Sequence, residues 1–193
     1  GGGGGWRGGS GTGTGGSGAN GKTILTFTCP TPVVTYSTSL TFCQGGSIVL
    51  QAPTSNVTSY QWKKNTTTIS GATSSSYTAT ESGSYTVLVG YSFTFSGASA
   101  NPYTCNAESA AVTVSVNPLP QGSISGNAIC PGGTGQFTFT ASAGTGPFSV
   151  TINGTTYGQV NSGIPFNASP NPTTTTNYTM TAISDQNYCA RYS

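Results

Sequence analysis

Five cysteines, three carboxylates and no histidine bound the chemistry open to this sequence. Without imidazole there is no Ser-His-Asp or Cys-His nucleophile, no imidazole metal ligand and no histidine pH switch. The acids are Glu81, Glu108 and Asp185, far apart along the chain. That spacing gives a glycosidase-type carboxylate pair little support. The cysteines are Cys29, Cys43, Cys105, Cys130 and Cys189, with no C-x-x-C pair of the kind zinc prefers. In a chain rich in Ser and Thr they read as structural disulfides formed in an oxidising compartment. No catalytic, cofactor-binding or metal-binding residue is assigned, and the expectation is a protein that is not an enzyme.

The cysteines belong to an internal repeat. Cys43-Gln44-Gly45-Gly46 opens one stretch and Cys130-Pro131-Gly132-Gly133 opens another, about 87 residues later. Each stretch continues into alternating β-formers, a Tyr-Thr pair at Tyr85 or Tyr178, and a second cysteine, Cys105 or Cys189. The repeat selects the pairing Cys43–Cys105 and Cys130–Cys189, each closing a loop of about 60 residues worth roughly 4 kcal/mol in the chain-entropy model. Cys29 is left over, either free or paired with a cysteine upstream of the sequence given.

These side chains need elements to hold them, and the composition points to sheets. The chain has 193 residues, of which 4% are charged and 10% aromatic. Abundant Val, Ile and Thr separate it from disordered chains of similarly weak hydrophobicity, and Thr-rich alternation suits the solvent face of strands. A formal net charge of +2 supplies no basic patch, so nucleic acid is not an expected partner. No apolar run is long enough to span a bilayer as a helix. The chain opens without Met and stops just after Cys189, which reads as a piece of a larger precursor.

Residues 1–21 are glycine-rich and carry a lone Trp6. With the alternating stretch 22–29 they read as the end of a glycine-rich domain (1–29) and its closing strand, a flexible linker being the other reading. The pattern then predicts a first β-sandwich over 33–117. Its strands are expected at 33–36, 47–52, 59–63, 76–80, 84–89 and 110–116, with a variable stretch at 91–95. Asn117-Pro118-Leu119-Pro120 ends it as a short hinge. A second sandwich, unfinished at its end, is expected over 121–193, with strands at 122–125, 135–141, 148–152, 158–160 and 177–183. Ile152-Asn153-Gly154 marks a tight hairpin. Asn56, Asn65, Asn153, Asn167 and Asn177 match the N-glycosylation pattern, a frequent coincidence in Thr-rich chains.

Within the first stretch, Ser59-Tyr60-Gln61-Trp62-Lys63-Lys64-Asn65 and the later Glu81-x-Gly83-x-Tyr85 resemble immunoglobulin-like domains. They are most similar to the Ig-like repeats of large surface and secreted proteins of the Bacteroidota. The resemblance implies all-β tandem immunoglobulin-like sandwiches, Trp62 as the buried tryptophan of the third strand and Tyr85 in a tyrosine corner. Phe148 or Val150 would replace that tryptophan in the second copy. The family's core cysteine is replaced by Val87, so the bridge from Cys43 to Cys105 is expected to clamp one end of the sandwich. The resemblance further implies export by the type IX route and a place among adhesins, including those of gliding motility.

The expected function is a non-catalytic segment of a secreted or cell-surface adhesin, a stalk or spacer with a possible glycan- or protein-binding face. An accessory module of a secreted hydrolase and a subunit of an extracellular filament are the alternatives. The secretion machinery of the outer membrane is a further expected partner. Trp62 and Tyr85 read as core, and Tyr77 as either core or surface. The insertion at 90–105 is expected to project and to carry the ligand contacts Tyr91, Phe93, Phe95 and Tyr103.

Overall fold

The computed structural model describes residues 26–94 and 102–192. The glycine-rich segment through Leu25, with Trp6, and also Phe95, lie outside the described residues. The described chain is all-β. In chain order its strands are β1 (Thr41–Cys43), β2 (Ile48–Gln51), β3 (Val57–Lys64), β4 (Thr67–Thr68), β5 (Ser76–Ala79), β6 (Gly83–Phe93), β7 (Tyr103–Glu108) and β8 (Val112–Asn117). There follow β9 (Gln121–Gly126), β10 (Gln136–Ala143), β11 (Phe148–Ile152), β12 (Thr155–Val160), β13 (Pro165–Asn167), β14 (Met180–Ser184) and β15 (Ala190–Tyr192). They divide between two compact units. Of the described residues, one takes in those up to Thr35 with those of Gln51–Tyr77 and Tyr85–Val112; the other takes in Tyr36–Leu50, Thr78–Ser84 and those from Thr113 onward.

In the first unit, β6 is the central ladder. It runs antiparallel to β3 from Lys64↔Tyr85 to Val57↔Tyr91 and antiparallel to β7 from Leu88↔Glu108 to Phe93↔Tyr103. Its period-2 pattern buries Tyr85, Val87, Val89 and Tyr91 on one face. Trp62 is fully buried, and its indole N–H donates to the Ser74 carbonyl at 2.9 Å, which satisfies its one polar atom. Tyr77 lies between Trp62 and Tyr85, with ring centroids at 5.9 and 5.7 Å, so it belongs to this aromatic cluster. The β3–β4 hairpin turns through Asn65 and Thr66, both at positive φ (48° and 71°), as a two-residue primed turn requires.

In the second unit, two sheets share one core. One has the order β13-β10-β9, the other β12-β11-β14-β15. Phe137 and Phe139 of β10 meet Phe148, Val150 and Ile152 of β11, Val160 of β12 and Ile183 of β14. Burying each of these large apolar side chains contributes about 2 kcal/mol. Phe148 and Val150, the residues expected to replace the tryptophan, are both buried in this core. Asn153-Gly154 turns the β11–β12 hairpin with both residues at positive φ, as the sequence predicts. Gly122 is needed where it stands: a Cβ there would lie 2.4 Å from the Phe139 ring. In the same unit β1 runs parallel to β8, with Cys43 opposite Asn117, and the Gln44 N–H donates to the Asn117 carbonyl at 2.8 Å.

Several expectations are corrected. Residues 26–29 form no strand, and 33–36 contribute only the bridge Thr35↔Gln51. The chain past Cys189 forms β15, a strand not expected from the pattern, which pairs with β14.

The cysteine pairing also differs. Cys29 bonds Cys105 (Cα–Cα 5.9 Å) and Cys43 bonds Cys189 (Cα–Cα 5.5 Å), while Cys130 is an exposed free thiol. The pairs Cys43–Cys105 and Cys130–Cys189 do not form. The reason is positional. The segment before Cys29 lies along β7, where the Tyr103 hydroxyl donates to the Phe27 carbonyl at 3.3 Å and their rings sit 6.1 Å apart. That places Cys29 beside Cys105. Cys43 ends β1 and Cys189 leads into β15, within bonding reach in the second unit.

Candidate functional site

The aromatic residues expected to contact a ligand sit on paired strands. β6 continues to Phe93 and β7 begins at Tyr103. Tyr91 is buried, and burial together with the nearby Tyr60 phenol raises its pKa above the ordinary tyrosine value. Phe93 stacks on Tyr91 at 5.9 Å and contacts Tyr103 at 6.4 Å. Tyr103 is covered in turn by Phe27, at the segment stapled through Cys29–Cys105. Tyr91, Phe93 and Tyr103 therefore form a packed ladder, correcting the expectation that they project; Phe95 lies outside the described residues.

The carboxylates are also engaged in structure. Glu108 accepts from the Lys63 ammonium at 2.8 Å and from the Thr86 hydroxyl at 2.6 Å, and these two hydrogen bonds hold its pKa below the usual carboxylate value. Asp185 is buried and accepts three backbone N–H groups: Thr145 and Asn187 at 3.0 Å and Cys189 at 3.1 Å. Among the described residues no three His, Cys, Asp or Glu side chains gather as a metal site.

A cleft in the second unit is a further candidate. It has a volume of about 310 Å³ and is lined by Pro120, Gln121 and Gly122, by Ser142, by Met180, Ala182 and Ile183, and by Arg191. It opens beside β9 and β15, the terminal strands of their two sheets. Its volume lies near the lower bound for small-molecule sites. The lining offers an apolar floor, the Gln121 carboxamide, one hydroxyl and one guanidinium, a set suited to an apolar group carrying a carboxylate or hydroxyl and lacking any nucleophile–base pair.

Within four residues of Arg191 in sequence stand two highly exposed aromatics, Tyr188 (93%) and Tyr192 (80%). Tyr188 is held at φ 60°, a left-handed conformation that costs a bulky side chain free energy without any packing return at this exposure. The Asp185 turn imposes it: the Tyr188 N–H donates to the Asp185 carbonyl at 3.0 Å while the Asp185 side chain grips Asn187 and Cys189. Sequence reasoning missed Tyr188, Arg191 and Tyr192. The aromatic and basic residues of Asn187-Tyr188-Cys189-Ala190-Arg191-Tyr192 were the signal, masked by the cysteine among them. No protein-family model matches the chain, and no curated protein matches it significantly.

Proposed function

We propose that this chain is a non-catalytic, extension-resistant segment of a secreted or cell-surface adhesin. It serves as a stalk that carries a binding face for a surface glycan or protein. The observation that carries this reading is the overlap of the two disulfides. Cys29–Cys105 spans 76 residues and Cys43–Cys189 spans 146, and each starts inside or before the other's loop. A pull on the chain at Cys29 and Cys189 reaches Cys189 through Cys43. The covalent path between them is then about 14 residues, or roughly 50 Å, instead of about 540 Å for the open chain. A stalk under tension gains from such a brace; a folded enzyme domain gains nothing particular. Both disulfides fit an oxidising, extracellular environment. The likeness to Ig-like repeats of exported Bacteroidota proteins agrees with a surface location reached by type IX export.

Single-molecule stretching tests the mechanical part. With the disulfides intact, the contour released between handles at Cys29 and Cys189 should stay near roughly 50 Å, rising about tenfold in reductant. Equal contour in both conditions would overturn the reading. An antibody raised against the chain should label unpermeabilised cells of the source organism; labelling that needs permeabilisation would exclude a surface stalk.

A further inference from the structure

The cleft of the second unit gathers polar side chains that the fold itself does not use. Gln121 opens β9, Ser142 stands near the end of β10 and Arg191 lies in the middle of β15. Among the described residues, none of these side chains makes a hydrogen bond or ion pair with another. The acids described above serve structure instead: Glu108 holds Lys63 and Thr86, and Asp185 holds the turn before β15. The Arg191 guanidinium is thus a cation at an apolar cleft with no counter-charge from its own chain.

Strand register explains how these groups converge. Arg191 pairs with Ile183, and directly opposed residues of a sheet share a face. Ile183 is buried in the core, so Arg191 stands on the core-facing side of its sheet, while Tyr192, opposite Ala182, takes the other side. Ser142 is the extra residue of a bulge. Ala141 pairs with Gly122 and Ala143 with Gln121, which leaves no residue of β9 opposite it. Regular alternation from the buried Phe139 would turn Ser142 away from the core face; the bulge re-aims it to the cleft. The facing wall is bulged too. Thr151 pairs with Ala182 and Ile152 with Met180, so Thr181 is the extra residue of β14. An inward charge on an edge strand also discourages pairing with another chain, but that role asks nothing of Ser142 or Gln121.

The chemistry of the lining describes its occupant. A guanidinium lacking an acceptor suits a carboxylate, which it grips through two parallel N–H groups. A carboxamide and a hydroxyl, each both donor and acceptor, suit hydroxyl groups. Pro120, Gly122 and Ala182 between them offer a shallow apolar floor for the C–H face of a ring. An acidic peptide side chain would answer Arg191 and leave the other two groups unmatched. We propose that this cleft binds a glycan through a hexuronic-acid residue, with Arg191 on its carboxylate and Gln121 and Ser142 on its hydroxyls. The inference deepens the proposed function and rests on it for the ligand being a glycan.

The test is titration of the 193-residue chain, followed by amide chemical shifts, with three probes. These are a hexuronic-acid tetrasaccharide, its carboxyl-reduced counterpart and a tetra-aspartate peptide. The acidic sugar is expected to shift Gln121, Ser142 and Arg191, and the reduced sugar to bind about tenfold more weakly or worse. Arg191→Gln should lose a similar factor with its thermal midpoint unchanged, because the guanidinium has no partner in the fold. Ser142→Ala should weaken the acidic sugar a few-fold. No shift with the acidic sugar, equal binding of the two sugars, or full affinity in Arg191→Gln would overturn the proposal. Peptide binding as tight as the sugar's would also overturn it, in favour of an acidic protein partner. Antibody labelling of intact cells decides the stalk reading separately: a labelled surface with no response to the acidic sugar removes the cleft alone.

Discussion

At Asp185 a single side chain orders the turn that presents both Cys189 and Tyr188. Its carboxylate is buried, and three backbone N–H groups depend on it. Asp185→Ala should lower unfolding free energy by about 2–3 kcal/mol, since buried donors are left without an acceptor. Denaturant titration would measure this, with the midpoint shifted and the slope unchanged. Tyr188 predicts the opposite sign. Tyr188→Gly relieves a left-handed backbone and removes a side chain that packs on almost nothing, so stability should rise by about 1 kcal/mol. If Tyr188 is retained for contact with a ligand, the same variant should lose signal on a glycan array. The Lys63–Glu108 pair makes a third case. The Glu108 pKa is lowered in the fold, so its contribution is present above the ordinary carboxylate range and is lost as pH falls through the folded value. The pair is largely solvent-exposed, so Glu108→Gln should flatten the acid limb of the stability profile by only about 0.5 kcal/mol.

At the scale of elements, the hairpins show what short-range chemistry can set. The β11–β12 turn uses Asn153-Gly154, the pair best suited to two left-handed residues in succession. The β3–β4 turn has the same geometry but places Thr66, a β-branched residue, at φ 71°. Thr66→Gly should stabilise the hairpin by about 1 kcal/mol, read as a higher thermal midpoint and slower amide exchange across β3 and β4. The paired strands β6 and β7 show the reverse case, in which long-range packing overrides the local signal. An aromatic-rich insertion reads as a projecting loop, yet Tyr91, Phe93 and Tyr103 stack along the two strands, and Phe27 covers Tyr103. Removing the staple with Cys29→Ala and Cys105→Ala should expose this ladder, and a rise in binding of a hydrophobic dye would report it.

For the whole molecule the Cys43–Cys189 bond matters most. Its loop of 146 residues places it at the upper end of disulfide stabilisation, roughly 5 kcal/mol in the chain-entropy model. The double variant Cys43→Ala, Cys189→Ala leaves no stray thiol from this pair and should lose stability of that order. It should also become sensitive to protease within the second unit. A loss below about 1 kcal/mol would mean that the bond only decorates a fold held by its two-sheet core.

The immunoglobulin-like motifs placed Trp62 and Tyr85 in the core; the order of apolar and polar residues along the chain was enough to specify an all-β protein, the Phe148–Ile152 strand and the Asn153-Gly154 turn. Each depends on a few consecutive residues, because a strand's two faces follow from a period of two. The cysteine partners, the pairing of β15 with β14, the covering of Tyr103 by Phe27 and the exposure of Tyr188 were decided only in three dimensions. A disulfide needs Cα atoms within about 7 Å, and repeat spacing sets only the distance along the chain. Which thiols meet depends on where the folded path brings distant segments together.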